Sequence, residues 1–299
     1  MTAGARLAGA PISWGVCEVP GWGRVLPVDT VLAQMAGLGL SATELGPPGF
    51  LPDDPVQLQN ILRRNGLRLV GGFLAVALHG PDPAAALAEA ERTCRQLAAA
   101  GGGVLVLAAA TGLDGYDARP RLSDAAWDRL VATAAVVRDL AAGHGLLTAL
   151  HPHVGTHVEQ RAEVERFLTD SDLPLCLDTG HLLLGGTDPL ELVHAHAARI
   201  AHVHLKDVAQ PVAERVRSGR ITYLQGVRQG LYVPLGDGDV GVAGIVRTLQ
   251  DAGYRGWYVL EQDTALLETA DGASPDSPQH DTARSLEHLA RLGVTPSAG

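Results

Sequence analysis

The chain has 299 residues, 46% hydrophobic and 19% charged, which supports a large core and excludes a disordered chain. Its 23 basic and 33 acidic residues give a net charge of −10, the wrong sign for a phosphate-backbone partner, so no nucleic-acid binding is expected. Three scattered cysteines without a CxxC pair exclude a disulfide framework or a zinc knuckle, and no run of 18 apolar residues is present to span a membrane. Residues Met1–Arg6 do not open a charged-then-apolar targeting segment, so a cytoplasmic location is expected.

Short apolar runs alternate with amphipathic or Ala-rich stretches. In chain order, the pattern predicts strand Leu7–Trp14, helix Val28–Leu38, strand Ala42–Leu45, helix Pro55–Asn65, strand Leu67–Ala75 and helix Pro83–Ala100. Strand Val104–Ala108, helix Ser123–Gly143, strand Leu146–Leu150, helix Glu159–Asp170, strand Pro174–Leu177 and helix Pro189–Ala197 follow. The last elements are strand Ile200–Leu205, helix Val242–Ala252, strand Trp257–Glu261 and helix Asp281–Leu292. Ser123 and Asp188–Pro189 are start signals, whereas Gly66, Gly145 and Gly253 sit where a left-handed C-cap favours glycine.

Eight strands alternating with eight helices read as one (β/α)8 TIM barrel over residues 1–299, with an open doubly wound sheet as the alternative. Asp207–Gly230 is too long for an ordinary βα connection and is expected to form an active-site loop or cover. Its Arg215, Arg217, Arg220 and Arg228 would grip an anionic substrate or form a solvated face. Ala270–Gln279 also reads as loop. Gly236–Gly241 matches GxGxxG, but it opens no first βαβ unit and its two aspartates would repel a pyrophosphate, so it is read as a turn feeding a helix.

In a barrel, chemistry gathers at the C-terminal ends of the strands. Nine of the 12 histidines lie between His144 and His204, and the strand ends carry a polar series. Glu44 ends the second strand and His79 follows the third. His151 and His153 follow the fifth, Asp178 and His181 the sixth, His204 and Lys206 the seventh, and Glu261 the eighth. His151, Asp178, His204 and Glu261 each close an apolar strand, so they converge on the axis. Two imidazoles and two carboxylates suit a divalent metal such as Mn²⁺, Co²⁺ or Zn²⁺ better than Ca²⁺, which prefers oxygen alone. His202 sits two residues deeper than His204 and is read as structural; His144, His157, His194 and His196 are read as helix-end, loop or surface residues.

Four segments, Asp178–His181, His202–Asp207, Val233–Gly238 and Gly253–Glu261, resemble the xylose isomerase-like TIM-barrel superfamily over nearly the whole chain. Within it, Ile12–Gly15, Glu44–Gly49, His151–Thr156 and Glu261–Asp263 are most similar to the inosose dehydratase (2-keto-myo-inositol dehydratase) branch. The resemblance implies a metal held by a residue after strand five together with Asp178, His204 and Glu261, with His181 touching substrate. The superfamily commonly has Glu after strand five; His151 stands there, with Glu159 as the fallback. Epimerases of the superfamily resemble one another in using two glutamates, one on each substrate face. With Glu261 alone of that pair, the resemblance implies dehydration of a polyol ketone, with a sugar or sugar-phosphate isomerase or epimerase as the alternative and a non-catalytic sugar-binding barrel behind both. Glu261 or Glu44 would take the α-proton, and His181, His153 or Lys206 would donate a proton to the departing β-hydroxyl. His153, His79 and Trp14 would contact substrate. The outer helices permit a homo-oligomer.

Overall fold

The computed structural model describes residues 6–267 and 277–295. Its main sheet holds β1 (Arg6–Gly9), β2 (Ala42–Thr43), β3 (Arg68–Leu69), β4 (Gly71–Val76), β5 (Val104–Ala109), β6 (Leu147–Leu150), β7 (Leu175–Asp178), β8 (Ile200–Leu205) and β11 (Trp257–Leu260). All neighbours are parallel, in the order β3-β2-β1-β11-β8-β7-β6-β5-β4. Only Val70 separates β3 from β4. Its N–H donates to Thr43 O at 2.9 Å, and its carbonyl accepts from Gly103 N at 2.7 Å, so β3 and β4 form one stave and the sheet closes. The barrel therefore has the eight staves expected. Gly71 permits the closure, because a Cβ there would lie 2.2 Å from Val104 O.

Around the barrel run α1 (Val28–Gly37), α2 (Pro55–Arg64), α3 (Ala84–Ala100), α4 (Asp124–Gly143), α5 (Arg161–Asp170), α6 (Thr179–Leu184), α7 (Pro189–His196), α10 (Val242–Asp251) and α11 (Ser277–Arg291). The expected caps form. Ser123 accepts from Ala126 N and Asp188 from Leu190 N, while Gly66, Gly145 and Gly253 take positive φ. Three local expectations need correction. The first strand stops at Gly9, because Pro11 has no N–H to donate and starts a 3-10 turn, Pro11–Trp14. The fifth helix starts at Arg161, since Gln160 and Glu163 form a capping box there. Of the stretch read as loop at 270–279, residues 277–279 open α11 and the rest lie outside the described residues.

The long connection after β8 is ordered rather than irregular. It contains β9 (Asp207–Val208), α8 (Gln210–Arg217), α9 (Tyr223–Arg228) and β10 (Tyr232–Val233), the two strands pairing antiparallel. Tyr223 N donates to Asp117 Oδ1 at 2.8 Å, and Arg228 donates to the carbonyls of Gly21 and Trp22. This excursion is thus fastened on both flanks of the mouth.

The Gly-rich turn 236–241 has a definite job. Gly236 N and Gly238 N donate to Asp207 Oδ2 at 2.8 and 3.2 Å, and Val240 N to Asp207 Oδ1 at 3.1 Å. A Cβ on Gly238 would meet Asp207 Oδ1 at 2.4 Å. The turn binds an anion, but the anion is the protein's own carboxylate. Among the described residues, no helix is long and apolar enough to cross a membrane.

Candidate active site at the barrel mouth

Strand periodicity sets the site. Side chains two apart share a face of a strand, and two positions below Glu44, His151, Asp178, His204 and Glu261 lie Ala42, Ala149, Cys176, His202 and Val259, all fully buried. The first five gather at the top of the barrel interior, and the second five face the interior below them.

In the top layer His151 Nε2 lies 3.1 Å from His204 Nδ1 and 3.4 Å from Asp178 Oδ2. His204 Nδ1 lies 3.6 Å from Asp178 Oδ2 and 3.2 Å from Glu261 Oε2. Neighbouring ligands on one cation with bonds of about 2.1 Å stand roughly 3.0–3.4 Å apart, and His204 Nδ1 keeps such a spacing from His151 Nε2 and from Glu261 Oε2. Asp178, His204 and Glu261 each offer an atom within 4.8 Å of the other two, as do His151, Asp178 and His181. Charge points the same way. Glu44, Asp178, Glu261 and Asp263 are buried together, with Lys206 as the lysine among them.

Asp178, His204 and Glu261 are each held by a further partner. Asp178 Oδ1 caps α6, accepting from Gly180 N at 3.0 Å and His181 N at 2.8 Å, which leaves Oδ2 toward the mouth. Glu44 Oε1 accepts from His202 Nε2 at 2.7 Å and lies 3.2 Å from His204 Nε2, which directs His204 Nδ1 inward. Lys206 Nζ lies 3.1 Å from Asp178 Oδ2, 2.9 Å from Glu261 Oε2, 3.0 Å from Asp263 Oδ1 and 2.9 Å from His181 Nε2.

The electrostatics follow from burial set against neighbours. Burial opposes the Lys206 charge, yet Asp178, Asp263 and Glu261 hold its pKa well above the ordinary lysine value. Burial pulls Glu261 upward, but His204 and Lys206 outweigh it and bring the carboxyl down to about 2. Asp178 is likewise held well below its usual range, against burial, by Lys206 and His181. Burial opposes a proton on His204, but Cys176, Glu261 and Glu44 push its pKa well up, so positive charge is wanted at this imidazole. Burial, His151 and Lys206 bring His153 down to about 3. With His153 Nδ1 donating to Val154 O at 2.7 Å, its Nε2 keeps a lone pair.

A cavity of about 320 Å³ opens onto this layer, lined by Glu44, His151, His153, His204, Lys206 and Glu261 among others. His181 lies just behind, its ring centroid 3.8 Å from that of His153. Two residues expected to contact substrate do not reach the cavity lining. Trp14 is fully buried and its Nε1 donates to Gln34 Oε1 at 2.8 Å, because the 3-10 turn carries it off the strand. His79 lies beyond the end of β4, its ring 4.4 Å from that of His157. The fallback ligand Glu159 is spent elsewhere, pairing with Arg119 Nε at 2.9 Å and accepting from Gly155 N at 2.6 Å. His151, directly after β6, is thus the residue of this pair at the mouth. Sequence reasoning assigned no role to Asp263, Tyr223 or Tyr232. Asp263 was recoverable, since it keeps the parity of Glu261; the tyrosines, carried by the excursion, left no periodic signal.

The His79–His157 pair makes a pH prediction. Burial and the His79 and Arg119 neighbours lower the His157 pKa to about 4, and burial lowers that of His79. The unfolded chain takes up these protons below about pH 6.5, before the folded chain does. Their contribution to stability is therefore present above that pH and is lost as pH falls toward 4. The urea midpoint is expected to drop between pH 7 and pH 4.5, and to drop less in His157→Asn. An equal drop in both proteins would refute the assignment.

Comparisons with known proteins agree with this architecture. The family model described as xylose isomerase-like TIM barrel matches residues 32–292. An inosose dehydratase of Geobacillus kaustophilus (strain HTA426) is 34% identical over 278 residues, 87% of this chain and 89% of that protein. An inosose dehydratase of Erwinia tasmaniensis is 32% identical over 269 residues, 86% of this chain and 90% of the relative. The rhizopine catabolism protein MocC of Rhizobium meliloti is 33% identical over 267 residues, 86% and 81% of the two chains. Among solved structures, D-allulose 3-epimerase from Methylomonas sp. superposes with a TM-score of 0.70 at 19% identity, covering 97% of this chain and 98% of that one. A probable 3-DHS dehydratase from Bacillus anthracis gives a TM-score of 0.70 at 16% identity, covering 95% and 98%. At such identities the structural likenesses speak for the fold alone.

Proposed function

This chain belongs to the xylose isomerase-like TIM barrel family, and from that premise we propose that it is a metal-dependent hydro-lyase. Its substrate is a polyhydroxy cyclic ketone of the 2-keto-myo-inositol (inosose) type, as the names of its relatives suggest. The observation that carries the reading is the gathering of His151, Asp178 and Glu261 about His204 Nδ1, with the Lys206 ammonium beside them. Those four residues would hold the metal; Mn²⁺ or Co²⁺ suits the mixed nitrogen and oxygen donors, with Zn²⁺ also acceptable. When bound, a divalent ion acts as a Lewis acid at the ketone oxygen, worth several kcal/mol.

The chain's own groups divide the remaining work. Dehydration removes a proton next to the carbonyl and delivers one to the β-hydroxyl, so that the C–O bond breaks and water leaves. Glu261, ionised at the cavity wall, takes the α-proton. Lys206, held protonated by three carboxylates, is the donor to the departing hydroxyl. His153 Nε2 accepts from a substrate hydroxyl and orients the ring. Glu44 is occupied by His202 and His204 and positions the latter rather than acting as the base. A small-molecule enzyme with three unpaired cysteines fits a cytoplasmic setting.

The test is turnover of 2-keto-myo-inositol before and after EDTA, followed in deuterated water. Loss of water that stops with EDTA and returns with Mn²⁺ or Co²⁺ is the expected result. Solvent deuterium entering an intact ketose, with no water lost, would assign an isomerase or epimerase instead. Recovery of every polyol ketone unchanged and unlabelled would mark a binding barrel.

A further inference from the structure

Behind the mouth, four hydrogen bonds and one ion pair join five side chains in a ring. Tyr223 Oη donates to Asp263 Oδ2 at 2.6 Å, and Tyr232 Oη lies 3.0 Å from Tyr223 Oη and 3.3 Å from His181 Nδ1. Lys206 Nζ completes the ring, 2.9 Å from His181 Nε2 and 3.0 Å from Asp263 Oδ1. All five residues are buried.

Protons can run around this ring in one direction only. A phenol has a single proton, and Tyr223 commits its own to the Asp263 carboxylate. Tyr232 must therefore donate to the Tyr223 oxygen, since that oxygen has no proton left to give. Tyr232 then has only lone pairs to offer His181, which places the hydrogen of the neutral imidazole on Nδ1. Nε2 keeps its lone pair, and the Lys206 ammonium fills it. His181 is thus an acceptor toward Lys206, not a proton source for substrate.

We propose that Tyr223 and Tyr232 are positioning residues, which lock His181 in its Nδ1–H tautomer and through it aim the Lys206 ammonium at the mouth. Both tyrosines belong to the excursion rather than to the barrel: Tyr223 opens α9 and Tyr232 opens β10. The Thr222 capping box and the Asp117 contact fix Tyr223, while pairing with Val208 fixes Tyr232. The cover is therefore part of the working apparatus. A second contact agrees, since Lys206 Nζ lies 5.6 Å from the Tyr232 ring centroid, within cation–π range.

The kinetic half of this proposal rests on the dehydratase reading, whereas the spectroscopic half does not. Zinc-loaded protein, which is diamagnetic, labelled with ¹⁵N-histidine is expected to show His181 with a pyrrole-type Nδ1 and a pyridine-type Nε2, the signal being assigned by its loss in His181→Asn. Tyr223→Phe removes the acceptor for the Tyr232 proton, which then turns to His181 Nδ1, and the tautomer is expected to switch to Nε2–H. Tyr232→Phe leaves Nδ1–H without its partner. In both variants kcat is expected to fall about 10- to 100-fold, with KM within about threefold, as when a partner that orients a working side chain is lost. A wild-type His181 protonated on Nε2, or an unchanged tautomer in Tyr223→Phe, would overturn the lock. A switched tautomer with unchanged kcat would overturn the aiming of Lys206. A wild-type protein that consumes no polyol ketone would overturn the reaction assignment, and the nitrogen spectra would still decide the lock.

Discussion

Asp178→Asn is expected to leave the barrel folded and to stop turnover. The amide keeps an oxygen for Gly180 N and His181 N, so the cap of α6 survives. Its other atom becomes an NH₂ donor where Oδ2 now faces His151 Nε2 at 3.4 Å and the Lys206 ammonium at 3.1 Å. At Lys206 donor then faces donor, and the proposed metal site loses one of its two anions. Losing several kcal/mol of transition-state stabilisation, at about 1.4 kcal/mol per tenfold, lowers kcat/KM by roughly 10³-fold or more. Elemental analysis is expected to find the bound metal largely gone, while thermal melting of the EDTA-treated protein stays close to wild type. Full metal content with activity within tenfold of wild type would refute this account of Asp178.

Lys206→Met separates two roles of the lysine. Its methionine chain fills a similar volume, but Asp178, Glu261 and Asp263 lose the cation that stands within 3.1 Å of each. Breaking a buried ion pair from one side typically costs about 3–5 kcal/mol, and urea unfolding in EDTA is expected to show a loss of that order. A divalent ion offsets the same carboxylates, so adding Mn²⁺ should restore more stability to the variant than it adds to the wild type. Turnover is not expected to return with it, because the proton donor is absent, a loss of about 10²- to 10⁴-fold. Equal stability of the two proteins in EDTA would show that the carboxylates are not ionised together.

The arrangement at the mouth was legible where local periodicity decides geometry. His151, Asp178, His204 and Glu261 each end an apolar run, and a period of two turns that position into a direction. The barrel was legible for the same reason, since each strand and helix shows its own pattern before anything packs. What stayed hidden depends on contacts distant in sequence or on a single backbone break. Pro11 ends β1 early and takes Trp14 out of the site. His79 follows a strand but lies three residues past its end, where it turns to His157 instead of the axis. Lys206 keeps the parity of His204 and enters the mouth, but that its neighbour Asp207 binds the turn at 236–240 is decided by the fold of the excursion. Tyr223 and Tyr232 reach His181 and Asp263 across gaps of dozens of residues, which no motif window covers.

The tethers of the excursion also govern traffic. With Tyr223 N tied to Asp117 on one flank and Arg228 tied to Gly21 and Trp22 on the other, the excursion is pinned across the mouth. The cavity runs the other way, out past Leu51 and Asp53 to Glu89, Arg92 and Gln96 on α3. In the proposed reaction this corridor would take the substrate in and let water out, and Arg92 and Glu89, which line it, pair with each other. The groups proposed to handle protons thus stand on a wall tied at two points, apart from that corridor.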